Sequence, residues 1–137
     1  MNFAALHKQN SPLVIANVWD AVSAVAAQKS GYQALGTSSA AIAATLGYED
    51  GQTMPFDILF YWVTRIRAVS DLPLSVDMEA GYGETAQEIT DNLKRLANIG
   101  VSGVNLEDSR VIDHVRRLDD AAEFSGTLTS IRKMLDS

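Results

Sequence analysis

The sequence predicts an α/β protein organised on a parallel sheet, and three observations predict it. Short apolar or β-branched runs alternate with helical stretches four times along 137 residues. The connections between them are short, as right-handed crossovers between parallel strands allow. Polar residues gather just after the apolar runs, where parallel strands end together on one face. Two architectures fit this order, an open doubly wound sheet and part of a (β/α)₈ barrel. A full barrel takes about 250 residues, and four of its eight units are legible here.

In order, Phe3 to Lys8 reads as a short leading helix that Ser11-Pro12 breaks. Leu13 to Val18 is a nearly continuous apolar run, hence a buried strand. Asp20 caps a helix from Ala21 to Ser30, with Val22, Val25 and Ala26 on one face, and Gly31 ends it. A second strand covers about Ala34 to Thr37, and Ser38-Ser39 lead into a small-residue helix, Ala40 to Leu46. Gly47 to Met54 is a loop carrying Glu49 and Asp50. Pro55 suits the first turn of a helix reaching about Val69, with Ile58, Leu59, Trp62 and Ile66 on its buried side.

After the turn Asp71-Leu72-Pro73, a third strand begins at Leu74 and places Leu74 and Val76 in the core. It gives way to two carboxylates, Asp77 and Glu79, and a turn in which Gly81 and Gly83 permit positive φ and close approach of a ligand. Thr85 and Glu88 have capping-box spacing. The helix they open, to about Asn98, carries Ile89, Leu93, Leu96 and Ala97 at a period near 3.6, and Gly100 terminates it. Val101 to Leu106 is the fourth strand, ending in Glu107 and Asp108. Ser109 to Arg117 reads as a polar loop, and the last helix runs from about Asp119 to Leu135 with Phe124, Leu128, Ile131 and Leu135 on one stripe.

Composition removes several function classes. Hydrophobic residues at 47% and charged residues at 20% suit one ordinary globular domain. A formal net charge of −6 argues against a nucleic-acid or anionic-membrane surface, since both need clustered Lys and Arg. The absence of cysteine excludes disulfides, thiolate metal sites and cysteine nucleophiles. Met1 to Gln9 lacks the apolar run of a signal peptide, and no stretch approaches the roughly 18 apolar residues of a membrane span. The default location is the cytoplasm.

At a strand end a carboxylate has a rigid mount and can hold a hard cation. The four strand ends bring Trp19 and Asp20, then Ser38 and Ser39, then Asp77 and Glu79, then Glu107 and Asp108 to one face, with Asp50 in the loop after the second. Asp50, Asp77, Glu79 and Glu107 would converge on one opening. Clustered carboxylates repel, which a divalent cation relieves. Oxygen-only ligands favour Mg²⁺ or Mn²⁺ over Zn²⁺.

Each residue also has a plainer reading. Asp20 serves as a helix cap, and Asp108 as a solvated or turn-capping residue. Trp19 is either core or a substrate wall. Ser38 and Ser39 cap the following helix, whose backbone N–H groups can also bind a carboxylate or phosphate. His7 and His114 read as surface histidines. Arg110, Arg116 and Arg117 form a basic run that is either a solvated face or an aid to an anionic substrate. A phosphate-binding doubly wound domain would need a glycine-rich loop after the first strand, and Trp19-Asp20-Ala21 is not one.

Five segments, Asn17-Val-Trp-Asp-Ala21, Thr37-Ser-Ser-Ala40, Leu46-Gly-Tyr-Glu-Asp-Gly51, Val76-Asp-Met-Glu-Ala-Gly-Tyr-Gly83 and Gly103-Val-Asn-Leu-Glu-Asp108, resemble the isocitrate lyase / phosphoenolpyruvate mutase superfamily, in order and over nearly the whole chain. The resemblance implies a TIM-type (β/α)₈ barrel of which residues 1–137 are the first half. It also implies a homo-oligomer that uses Mg²⁺, with Mn²⁺ as the alternative. The substrate would be a small 2-oxo or 2-hydroxy acid passing through an enolate-like state as a C–C or P–C bond breaks. By motif match, Asp77 would ligate the metal directly, and Glu79 and Glu107 directly or through water. Asp50 would complete the acidic ring, and Asp50 and Glu107 would carry catalytic roles. Ser38, Ser39 and the next backbone N–H would bind the substrate carboxylate, Trp19 would pack over the substrate, and Gly81 and Tyr82 would line it.

Departures from the family pattern shape the expectation further. Members often have Asp where Glu79 stands. The lyases carry a Lys-Lys-Cys-Gly-His-type motif after the fourth strand, where this chain has Ser109 to Arg117 and no cysteine, so isocitrate or methylisocitrate cleavage by that acid is not expected. A substrate-contacting Arg on a fifth strand has no counterpart in these 137 residues. The alternative to an Mg²⁺ lyase or mutase is therefore a half-barrel without turnover of its own that assembles with another chain, since four parallel strands leave two unpaired edges and one uncovered apolar face.

Overall fold

A computed structural model describes residues 3–51 and 53–136. Gln52, within the loop expected from Gly47 to Met54, and the ends of the Met1 and Ser137 readings lie outside the described residues. Four strands form one parallel sheet: β1 (Ala16–Val18), β2 (Leu35–Thr37), β3 (Leu74–Asp77) and β4 (Gly103–Asn105). Their spatial order is β1-β2-β3-β4, with Ala16 opposite Leu35, Leu35 opposite Leu74, and Val76 opposite Val104. The order never reverses. A doubly wound sheet has a reversal, its switch point, whereas successive barrel units do not. The sheet is thus consistent with successive units of the barrel type.

The helices are α1 (Phe3–Leu6), α2 (Ala21–Lys29), α3 (Ser39–Leu46), α4 (Phe56–Arg67), α5 (Ala86–Asn98) and α6 (Ala121–Leu135). Capping explains their starts. The Asp20 carboxylate accepts from the Ser23 backbone N–H while Ser23 Oγ returns a bond to the cap, and Thr85 and Glu88 form the same reciprocal box on α5. Pro55 sits at the cap position of α4 without a side-chain bond, one place earlier than first-turn proline.

One core joins the sheet to the helices. Val18, Leu35, Leu74 and Val76 pack with Leu59, Val63 and Ile66 of α4, Ile89, Leu93 and Leu96 of α5, and Ile131 of α6. Burying each such side chain fully contributes roughly 1.5–3 kcal/mol relative to exposure. Several expected faces are corrected. On α2 the buried pair is Ala24 and Ala27 while Val22 is 77% exposed, because the helix is apolar nearly all round and periodicity could not choose a side. On α4, Val63 takes the place expected of Ile58, which is exposed, and Trp62 is half-buried. On α6 only Ile131 of the expected stripe is buried, and Leu128 and Leu135 are exposed.

The first strand is shorter than expected. Val14 is 65% exposed, and pairing begins only where Ala16 N–H reaches the Ala34 carbonyl. The sheet face turned from the helices is also not the apolar one expected. It carries Asn17, Gly36, Ser75, Gly103 and Asn105 around an open space of about 330 Å³, and the Phe3 ring of α1 lies against Gly103.

The segment expected as a polar loop is a β-hairpin. Strands β5 (Ser109–Ile112) and β6 (Val115–Leu118) pair antiparallel, with Arg110 opposite Arg117 and Val111 opposite Arg116. The two turn residues, Asp113 and His114, both have positive φ, 50° and 62°. That is the backbone of the tight turns whose twist matches paired strands. Asp-His lacks the usual glycine, which is why the turn was not legible.

Candidate metal centre at the strand ends

The β3 and β4 ends position the acidic residues. Beyond the regular ladder the two chains keep bonding: Met78 N–H donates to the Asn105 carbonyl at 3.0 Å, and Glu107 N–H to the Glu79 carbonyl at 2.7 Å. Glu79 takes a left-handed backbone, φ 47°, which bends the chain so that its side chain turns inward. The result is one cluster in which a carboxylate oxygen from each of Asp77, Glu79 and Glu107 lies within 4.8 Å of the other two.

Asp77 is the most firmly held of the three. Its backbone N–H donates to Thr37 Oγ1 at 2.9 Å, Ser39 Oγ donates to its Oδ2 at 2.7 Å, and Glu79 N–H donates to its Oδ1 at 3.2 Å. Two donors leave lone pairs free on both oxygens, because an ionised carboxylate accepts about four. Glu79 is only 3% exposed. Burial pushes its pKa up, and the charges of Asp77, Glu107 and Asp50 push the same way against the lowering influence of the Ser39 hydroxyl. Three hard oxygen donors close together, with burial and neighbouring charge both acting against ionisation of the most buried, suit a hard divalent cation.

Arg116, on β6, reaches the cluster from the hairpin. Its guanidinium donates to Glu107 Oε2, to Ser109 Oγ at 2.9 Å and to Glu79 Oε2 at 3.4 Å, and stands 4.0 Å from Asp50 Oδ2. Ser109 Oγ in turn donates to Glu107 at 3.1 Å. Arg116 was visible in the sequence only as part of a basic run. The useful signal was strand alternation: on a hairpin, Arg116 and Arg117 face opposite ways. Arg110 instead pairs with Asp119 at 3.0 Å. His114, expected as surface histidine, is exposed with Nδ1 3.3 Å from Glu49.

The remaining expected residues distribute around this cluster. Asp50 borders it through Arg116. Ser39 is buried and its hydroxyl is committed to Asp77, while Ser38 caps α3 by accepting from Ala41 N–H at 3.3 Å. Tyr82 has a left-handed backbone, φ 56°, next to Gly81 at 103°. Asn92 Nδ2 holds this turn by donating to both carbonyls, at 3.2 and 2.9 Å. Burial, then the charges of Glu79, Asp77 and Asp50, push the Tyr82 phenol up, so it stays a protonated donor facing the acids. Gly81 has no room for a side chain, since a Cβ there would sit 2.9 Å from Ile89. Trp19, at the β1 end, is 41% exposed, and Trp62 Nε1 donates to its carbonyl at 2.5 Å. Asp20 is spent on its helix cap. Thr37 and Asn92, both structural props of the site, were not singled out in the sequence.

Comparison with known proteins identifies the family. The family model described as phosphoenolpyruvate phosphomutase matches residues 3–137. The 2-methylisocitrate lyase of Escherichia coli K12 is 37% identical over 106 residues, covering 77% of this chain and 36% of the enzyme. The oxaloacetate decarboxylase of Paraburkholderia xenovorans LB400 is 36% identical over 98 residues, 71% of this chain and 32% of that protein. A solved structure from Burkholderia cenocepacia J2315, provisionally described as a phosphonomutase, superposes with a TM-score of 0.89 at 36% identity, covering 98% of this chain and 54% of its own. The chain thus spans about a third to a half of the length of the relatives it matches. It belongs to the phosphoenolpyruvate mutase / isocitrate lyase superfamily.

Proposed function

We propose that Asp77, Glu79 and Glu107 hold Mg²⁺, or Mn²⁺ in its place, in a site that binds a small 2-oxo or 2-hydroxy carboxylic acid and breaks a C–C or P–C bond in it. The observation that carries this reading is the convergence of three carboxylate oxygens within 4.8 Å at the ends of adjacent parallel strands. Family membership supports it, because the relatives are named for chemistry on small acids. Bound there, the cation would act as a Lewis acid on the oxygen that gains charge as the bond breaks.

The chain's own residues supply the rest. Ser39 and Thr37 orient Asp77, and the protonated Tyr82 phenol is a donor for an anionic oxygen. The start of α3, beyond Ser38 whose own N–H donates to the Val18 carbonyl, offers backbone N–H groups to a carboxylate. Asp50, free of the direct cluster, is positioned for proton transfer alongside Glu107. Trp19, Gly81 and Tyr82 form walls. Without cysteine in the hairpin Ser109–Leu118, a decarboxylase- or mutase-type reaction fits better than cleavage with a cysteine acid.

Calorimetric titration with Mg²⁺ and then oxalate, an enolate mimic, tests the proposal. Saturable Mg²⁺ binding followed by oxalate binding is expected. Absence of both, with folded protein, sinks the proposal. A second reading has a specific observation behind it: among the described residues, β1 and β4 each have one open edge. On that reading this half-barrel pairs with another chain, a second copy included, and has no turnover alone. Light scattering separates the two: a non-associating monomer that melts cooperatively contradicts the second reading.

A further inference from the structure

Arg116 already satisfies the acidic cluster that a divalent cation is proposed to occupy. Its guanidinium contacts Glu107 and Glu79, two of the three clustered carboxylates, and lies beside Asp50 at the border of the cluster. A cation on Asp77, Glu79 and Glu107 would draw on the same Glu107 and Glu79 carboxylates to which the guanidinium now donates. Two cations cannot share those lone pairs at close range without repulsion. Arg116 is also able to leave. It is 42% exposed, and it sits on an outer strand of a hairpin whose β6 residues are all exposed.

We propose that Arg116 is a two-position residue: it closes the acidic cluster when no divalent cation is bound, and it pairs with the anionic ligand once the cation has displaced it. This rests on the metal reading above. The planar guanidinium, with five donors, matches a carboxylate or phosphonate bidentately. Displaced from Glu107, it stays tethered at the mouth of the site by the hairpin. The hairpin itself is seated rather than loose: Arg110 pairs with Asp119, and Val111 packs against Gly51, where a side chain would run into it. Metal entry therefore swings one side chain and need not unseat the hairpin.

The exchange has a signature that a simple surface ion pair lacks, because its two halves move in opposite directions. Removing the competing cation should tighten metal binding, and removing the ligand's partner should weaken anion binding. Calorimetry on wild type, Arg116→Gln and Arg116→Lys, first with Mn²⁺ alone and then with oxalate at saturating Mn²⁺, reads both. Arg116→Gln is expected to bind Mn²⁺ about fivefold or more tighter and oxalate about fivefold or more weaker. Arg116→Lys keeps the charge but loses the fork, so Mn²⁺ affinity stays near wild type while oxalate binding weakens. Should Arg116→Gln fail to fold by circular dichroism, the lysine variant carries the oxalate arm alone.

Unchanged or weaker Mn²⁺ binding in a folded Arg116→Gln, or undiminished oxalate binding in either variant, overturns the proposal while leaving the metal site intact. No Mn²⁺ binding by any of the three proteins instead overturns the metal reading on which it rests.

Discussion

Glu79 is where the site's electrostatics concentrate. It is almost fully buried, it holds a left-handed backbone, and three other carboxylates raise its pKa beyond what burial alone does. Its ion pair with Arg116, at 3.4 Å, is long and one-sided. Replacing it by Gln removes a buried charge yet keeps the shape, so Glu79→Gln should melt higher than wild type in metal-free buffer. The same variant should bind Mg²⁺ at least about tenfold more weakly. Thermal melts with and without Mg²⁺ check both, and a lower metal-free melting temperature would contradict the repulsion argument. Ser39 acts one step back. Its hydroxyl fixes Asp77 at 2.7 Å, so Ser39→Ala should cost about 1 kcal/mol of stability and about tenfold in Mg²⁺ affinity. Denaturant unfolding and calorimetry measure the two separately. Asp77, Glu79 and Glu107 were legible in the sequence as neighbours because Asp77 ends β3 and Glu79 and Glu107 each come two residues after a strand's last residue. The bond from Ser39 to Asp77 was not foreseen, since a hydroxyl on a sequence carries no direction.

Among the elements, α5 shows how local chemistry sets stability. Glu88 is pulled below its ordinary 4.5 by the backbone N–H groups of Glu84 and Thr85, which it accepts at 2.8 and 3.0 Å. A carboxylate with a lowered folded-state pKa contributes stability above its unfolded value and loses it as pH falls through the folded one. Glu88→Ala should therefore melt lower than wild type at neutral pH, with the gap narrowing below pH 4.5. A gap that is constant with pH would show that the cap works without its charge. On α6, Gly126 has open space around it, so Gly126→Ala should stabilise the protein by about 0.5–1 kcal/mol in denaturant unfolding. The capping boxes were readable because their spacing is strict. The hairpin was not, because Asp113-His114 adopts a glycine-favoured turn without glycine. Missing it also hid Arg116, whose reach into the acidic cluster depends on strand alternation.

At the scale of the whole molecule, the parallel order β1-β2-β3-β4 explains why residues as distant as Ser39, Asp77 and Glu107 meet at all: adjacent parallel strands end on the same face. Alternating runs in the sequence were enough to foresee that sheet. They were not enough to foresee the chemistry of its far face, where Asn17, Ser75 and Asn105 stand instead of an apolar surface. Leu74 and Val76 announce the core, but Ser75 between them and Asp77 after them fall on the other side, and only the pairing register shows how many polar residues share it. Everything proposed about function rests on whether the strand-end carboxylates bind a cation. Mg²⁺ titration by calorimetry of wild type beside Asp77→Ala, with both proteins shown folded by circular dichroism, measures this directly. Saturable binding by wild type, lost in Asp77→Ala, is the expected result; identical isotherms for the two proteins would contradict a metal centre at these residues.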